Sequence, residues 1–94
     1  MKYTDRVRVR QAFQKAIDRD PVAADLPVEG WSRDGRQMTS REIIRANLLS
    51  EEFYAQLDAA ISSGQRTLDG LLYSFENYRL PLKDRAKPKP SWKP

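Results

Sequence analysis

The chain has 94 residues, of which 39% are apolar and 32% charged, and its net charge is +4. This length predicts one domain with a modest core, and with no apolar run near the roughly 20 residues that span a bilayer we expect no membrane span. The chain contains no His and no Cys, which excludes the usual zinc sites, disulfides and nucleophiles activated by histidine.

The charge is distributed unevenly along the sequence. Residues 1–19 hold six cations and two acids, residues 20–78 hold five cations and ten acids, and residues 79–94 hold six cations and one acid. A uniformly basic domain is typical of a nucleic-acid face, whereas basic ends on a near-neutral body indicate a docking function.

The first predicted element is a helix over residues 5–19, capped by Thr4, because apolar residues recur there at three- and four-residue spacing. The alternation of Arg and Val early in this stretch is also compatible with a strand. Arg6, Arg8 and Arg10 form either a basic binding face or an ordinary solvated helix face, and Arg favours bidentate contacts to carboxylates or phosphates.

The pair Asp20-Pro21 ends this helix. A loop is predicted to follow as far as about Met38, with Asp34-Gly35 as a tight turn.

Trp31 lies within this loop, between acidic and basic neighbours. With Arg33 and Arg36 close by, it has the composition of a protein-interface hot spot. The alternative interpretation is that Trp31 folds back as a lid on the small core. The exposure of the indole to solvent distinguishes these two interpretations.

Three further helices are predicted from their boundary signals. Thr39–Glu42 is a capping box that starts the second helix, and Ser50–Glu52 starts the third, which Gly64 ends. Thr67 caps a fourth, which ends at Leu80-Pro81. The expected fold is therefore all-α, a small bundle of about four short helices spanning residues 1–80.

Residues 81–94 alternate Pro with Lys, and we expect an extended or disordered basic tail. The tail is interpreted as a contact for an acidic partner protein, as a contact for nucleic acid, or as a solvated segment without a specific role. Its tryptophan favours a contact, because an indole fills a partner pocket or stacks on a base. The candidate contact residues of the tail are Lys83, Arg85, Lys87, Lys89, Trp92 and Lys93.

Three sequence runs resemble a known family. The runs AFQKAIDRDP (residues 12–21), QMTSREIIR (37–45) and SEEFY (50–54) are similar, in the same order, to the "AYRQ…RDP", "QITVREFIR" and "SEFY" segments of phycobilisome linker domains. The resemblance implies a colourless, basic, all-helical protein that sits against a ring of acidic pigment proteins and sets their assembly or energy transfer. It implies Arg41 and Arg45 as contact residues.

Together these observations predict a non-enzymatic cytoplasmic protein that binds an acidic macromolecule, most simply an acidic protein complex, as a linker, assembly or regulatory factor. The alternatives are a small DNA- or RNA-binding regulator and a phage-type small inhibitor of a larger protein machine. No cofactor, metal or small-molecule substrate is expected.

Overall fold

The computed structural model describes residues 1–80; the predictions made for the basic tail (residues 81–94) lie outside the described residues. Within residues 1–80, five helices and two strands follow one another. Their bounds are α1 Tyr3–Arg19, α2 Pro21–Ala24, β1 Pro27–Arg33, β2 Arg36–Thr39, α3 Ser40–Leu48, α4 Glu51–Ser62 and α5 Leu68–Glu76.

The expectation of an all-α fold is wrong, because the predicted loop contains an antiparallel hairpin of β1 and β2. Asp34 and Gly35 both adopt positive φ, 53° and 78°, which is the backbone conformation of a tight turn whose twist matches its two strands. The pairing is irregular between Pro27 and Ser32. Only Val28 is buried along β1, so the sequence lacks the apolar alternation by which a strand is recognised.

The boundaries of α1 and α5 differ from prediction at one end each. α1 begins at Tyr3 after Lys2, without a side-chain cap, so the predicted role of Thr4 is wrong. The end of α1 before Pro21 is confirmed. α5 ends at Glu76 rather than at Leu80, because Leu80, 2% exposed, leaves the helix to pack into the core.

The start signals of α3, α4 and α5 are confirmed. Thr39 and Glu42 make both hydrogen bonds of the capping box, and the Thr67 hydroxyl accepts from the backbone N–H of Gly70 at 3.0 Å. Gly64 follows the end of α4 with φ of 80°. These signals depend only on neighbouring residues, which is why the sequence alone predicts them.

The core consists of two hydrophobic clusters. One joins α1, α2 and α3 to Leu80, and the other joins α1, α4 and α5. Phe13 and Leu48 pack against both clusters. The hydroxyl of Tyr54, which is buried in the second cluster, donates to the carbonyl of Leu48 at 2.7 Å and ties α4 to the end of α3. Ile44 of α3 packs with Ile17 of α1 in the first cluster.

Candidate protein-binding surface

Arg36 and Glu42 connect the hairpin to α3. The carboxylate of Glu42 accepts two hydrogen bonds from the Arg36 guanidinium, at 2.9 and 3.3 Å, and one from the backbone N–H of Thr39 at 2.9 Å. These bonds, with that of Arg36 the largest cause, lower the pKa of Glu42 to about 2. Arg36, a candidate contact residue, is therefore engaged within the protein.

Two candidate cations of α1 are also engaged internally. Both terminal nitrogens of Arg6 bond the carboxylate of Glu51 at 2.8 Å, and its guanidinium lies 4.5 Å from the ring centre of Tyr54. Arg8 reaches Asp69 at 3.4 Å. Pairs of this exposed kind stabilise weakly, but they link α1 to α4 and α5. Of the three residues of the predicted basic face, only Arg10 has no ion pair within residues 1–80.

Arg41 bonds the carboxylate of Asp25 with two nitrogens, at 2.9 and 3.4 Å. The bond lowers the pKa of Asp25 and raises that of Arg41. Asp25 is the C-cap of α2, so this pair fixes the first turn of α3 against the segment after α1 and holds the Arg41 guanidinium in a defined position.

A small cavity of about 50 Å³ lies between α1 and α3, with three candidate cations in its wall. Arg10 comes from α1, whereas Arg41 and Arg45 come from α3. Arg10 and Arg45 are exposed and form no ion pair with any residue in 1–80, although the Arg10 guanidinium lies 5.8 Å from the ring centre of Tyr3. We name this site the arginine cleft; its lining is Arg10, Gln14, Ile17, Arg41, Ile44, Arg45 and Leu48.

The arginine cleft has the chemistry of an anion site. Guanidinium groups bind carboxylate or phosphate oxygens through paired, charge-assisted hydrogen bonds. Within residues 1–80, Arg10 and Arg45 make no such bonds to a carboxylate. Arg41 already uses two of its nitrogens to bond Asp25.

An apolar depression lies on the other side of the contact between α1 and α3. It is formed by two adjoining cavities of about 240 and 130 Å³ that share Ile43, Ile44 and Tyr78. Trp31 is 54% and Tyr78 46% exposed. We name this depression the aromatic groove; its lining is Phe13, Val28, Trp31, Ser40, Ile43, Ile44, Asn47, Phe75 and Tyr78.

The exposure of Trp31 decides between its two interpretations. Val28 and Met38 carry the buried contacts of the hairpin, whereas Trp31 lines an open depression with about half of its surface exposed to solvent. It is therefore not a buried lid. Arg33 lies near it on β1, exposed and without an ion pair in the described part of the chain.

The remaining candidate contact residues belong to the basic tail. Their positions lie outside residues 1–80. They are Lys83, Arg85, Lys87, Lys89, Trp92 and Lys93.

The sequence did not indicate the aromatic groove. Phe13, Ile43 and Phe75 fall on helical stripes that indicate core, and only the packing of three elements shows that one edge of each stripe stays accessible. Tyr78 was assigned to the fourth predicted helix, but it lies beyond the end of α5.

Within residues 1–80, no group of three or more acidic, His or Cys side chains is placed to hold a metal ion. In the same range no helix combines the length and the apolarity needed to cross a bilayer. Comparison with known proteins finds no family model, no curated protein and no solved structure that matches this chain.

Proposed function

We propose that this chain is a non-enzymatic protein that binds an acidic protein partner through the arginine cleft, as a linker, assembly or regulatory factor. The observation that carries the proposal is the contrast among the cations of residues 1–80. Arg6, Arg8 and Arg36 are paired with carboxylates of the same chain. Arg10 and Arg45 have no ion pair with any carboxylate of residues 1–80, yet two helices bring them to one cavity.

The charge balance favours a protein over a nucleic acid. Residues 1–80 hold 12 of the 17 cations and 12 of the 13 acids, so they are net neutral. A neutral body whose arginines line small separate cavities offers little to a duplex, whose phosphates attract an extended basic surface. Such a body suits a pair of carboxylates on a protein partner. The basic tail, which carries five cations and one acid, adds long-range attraction to an acidic partner.

The resemblance to phycobilisome linker domains supports the same class of partner. It singles out Arg41 and Arg45, and both line the arginine cleft. On this proposal the partner is an assembly of acidic proteins, of which acidic pigment proteins are the case that the resemblance implies.

The proposal is tested by quantitative capture from extracts of the source organism, followed by measurement of affinity for the recovered partner. The double variant Arg10→Gln, Arg45→Gln is compared with a control that removes the same charge elsewhere, Lys2→Gln, Arg66→Gln. We expect a stoichiometric acidic protein to be recovered with the wild type and the control. The cleft variant should bind it at least about tenfold more weakly, because hydrogen bonds to charged groups contribute roughly 1.5–3 kcal/mol each.

Equal binding by the cleft variant and the control would falsify the proposal. An oligonucleotide gel shift, repeated at rising salt, is the second measurement. Binding that exceeds the affinity for the protein partner and falls steeply with salt would replace the proposal by the nucleic-acid alternative.

A further inference from the structure

We infer that the partner offers an acidic peptide segment with one aromatic side chain, whose ring enters the aromatic groove while its carboxylates reach the arginine cleft. This inference rests on the proposed function, since it specifies the chemistry of the segment that the same surface binds.

The walls of the groove favour a ring. Phe13 stacks on Phe75 with ring centres 4.5 Å apart and meets Tyr78 edge-on at 6.4 Å. The larger part of the groove is an open depression of about 240 Å³, whereas an enclosed apolar cavity of about 150 Å³ already admits benzene. Aromatic rings gain from offset and edge-on contacts beyond the burial of their area. A ring therefore fits the groove both in size and in the geometry of its walls.

The charges around the groove favour an acidic occupant. At one edge, Arg79 lines a cavity with Tyr78 and forms no ion pair with residues 1–80. Arg10 and Arg45 lie on the other side of α3, and they also form no ion pair with residues 1–80. The cavity beside Tyr78 is lined by two arginines and one acid, Asp20, and the arginine cleft by three arginines and no acid, so the net charge is positive on both sides. Complementary potentials select the partner and its register.

Two of the nearby acids form ion pairs inside the protein, Asp25 at 2.9 Å and Glu76 at 3.7 Å. Asp18 and Asp20 accept hydrogen bonds from uncharged groups and keep their charge. The arginines without an ion pair in residues 1–80 outnumber these two acids, so the surplus at the groove and the cleft is positive.

Helical geometry sets the spacing within the segment. Ile43 and Asn47 line the groove, whereas Arg41 and Arg45 line the cleft. At about 100° per residue these two pairs project to opposite sides of α3, so an occupant must cross the helix. A helix is about 10 Å wide and an extended chain rises about 3.3 Å per residue. The aromatic residue and the carboxylates are therefore about three or four residues apart.

The probe that tests this inference is a fluorescein-labelled synthetic peptide with one Phe and two Glu, three and four residues from it, made in both chain directions. The protein is the full chain with Trp92→Phe, so that tryptophan emission comes from Trp31 alone. We expect saturable anisotropy and a blue shift of Trp31 emission as the half-exposed indole is covered. Peptides with Phe→Ala, or with both Glu→Gln, should bind at least about tenfold more weakly.

Matched variants of the protein separate the groove from general attraction. Tyr78→Ala removes part of the groove wall, whereas Tyr73→Ala removes a ring that is 70% exposed on α5 and lines neither the groove nor the cleft. We expect Tyr78→Ala to weaken binding of the Phe peptide at least about tenfold and to leave binding of the Phe→Ala peptide unchanged. Tyr73→Ala should bind both peptides as the wild type does.

Several outcomes overturn the inference. The first is equal binding of the Phe and Phe→Ala peptides. The second is the absence of saturable binding up to about 1 mM peptide for both chain directions of the peptide. A third is a peptide-free dimer in sedimentation that covers Trp31. A fourth is a red shift of Trp31 emission when residues 81–94 are deleted, which would show that the chain's own tail occupies the groove. If the cleft variant loses the native partner while the Phe peptide fails, the proposed function stands and only this inference falls.

Discussion

Thr39, Glu42 and Arg36 show how individual residues position the binding surface. Thr39 and Glu42 satisfy each other's backbone N–H groups at the start of α3, and Arg36 extends this arrangement to the hairpin. The first turn of α3 bears Arg41, so the cap also sets where one wall of the arginine cleft begins. Local capping chemistry is thereby coupled to the candidate site.

Removal of the cap at Thr39 should lower the stability of the protein by a measurable amount. Thr39→Ala loses the hydroxyl that accepts from the Glu42 N–H at 3.2 Å, and we expect it to lower the free energy of unfolding by about 1 kcal/mol. Thr4→Ala is the matched control, because Thr4 lies inside α1 and makes no cap. Urea unfolding compares the two. An unchanged midpoint for Thr39→Ala would mean that α3 does not depend on this cap.

Glu42 predicts a specific pH dependence. Its native pKa, about 2, lies below the ordinary value of 4.5, so its stabilising contribution is complete above about pH 4.5 and is lost as the pH falls toward 2. Glu42→Gln should be less stable than the wild type at pH 7, and the difference should shrink to near zero at pH 2. Urea unfolding across this range is the measurement, with Glu52→Gln as control. A constant difference at all pH values would contradict the assignment.

At the scale of elements, the hairpin is the feature that gives this fold its binding surface. β1 places Trp31 over α3, and the buried Val28 and Met38 anchor the two strands to the core. Without the hairpin, α3 would face solvent on this side and the aromatic groove would lose one wall. The turn at Asp34-Gly35 is therefore a structural requirement of the site.

Gly35 should be the most sensitive position of this turn. Its φ of 78° is costly for a residue with a Cβ, by about 1–2 kcal/mol. We expect Gly35→Ala to destabilise the protein by that amount and to speed amide exchange at the paired residues Arg33 and Arg36. Ser32→Ala, at an exposed paired position, is the control. Amide exchange in Gly35→Ala at the same rate as in the wild type would show that the turn does not hold the hairpin.

At the scale of the whole molecule, the described body and the basic tail divide the charge. Residues 1–80 are neutral and contain both hydrophobic clusters, whereas the tail carries a net charge of +4. Phe13 and Leu48 join the clusters into one core. Both described clusters thus lie within residues 1–80, and the sequence places a net charge of +4 in the tail.

Deletion of residues 83–94 should separate folding from binding. Since these residues alternate Pro with Lys and offer little apolar surface to bury, we expect the far-ultraviolet circular dichroism spectrum per folded residue and the cooperative melt to persist. Affinity for the acidic partner should fall, most strongly at low salt. A tail with its Lys residues changed to Gln is the control for chain length. An unfolded truncation would refute the division between body and tail.

The sequence by itself determined the local features. Caps at Thr39 and Thr67, the stop at Gly64 and the end of α1 before Pro21 depend on groups a few residues apart, so they can be predicted without knowledge of the fold. It also indicated arginines as the candidate contact residues, but it did not show which of them are already paired.

Tertiary structure decided the rest. Arg6 and Glu51 are 45 residues apart in the chain, and Arg10 meets Arg45 only because α3 packs on α1. The hairpin likewise gains its stability from Val28 and Met38 reaching the core, which its weakly alternating sequence does not display. Ion pairing and burial between distant residues depend on the packed arrangement of the elements, and that arrangement separated the engaged arginines from the arginine cleft.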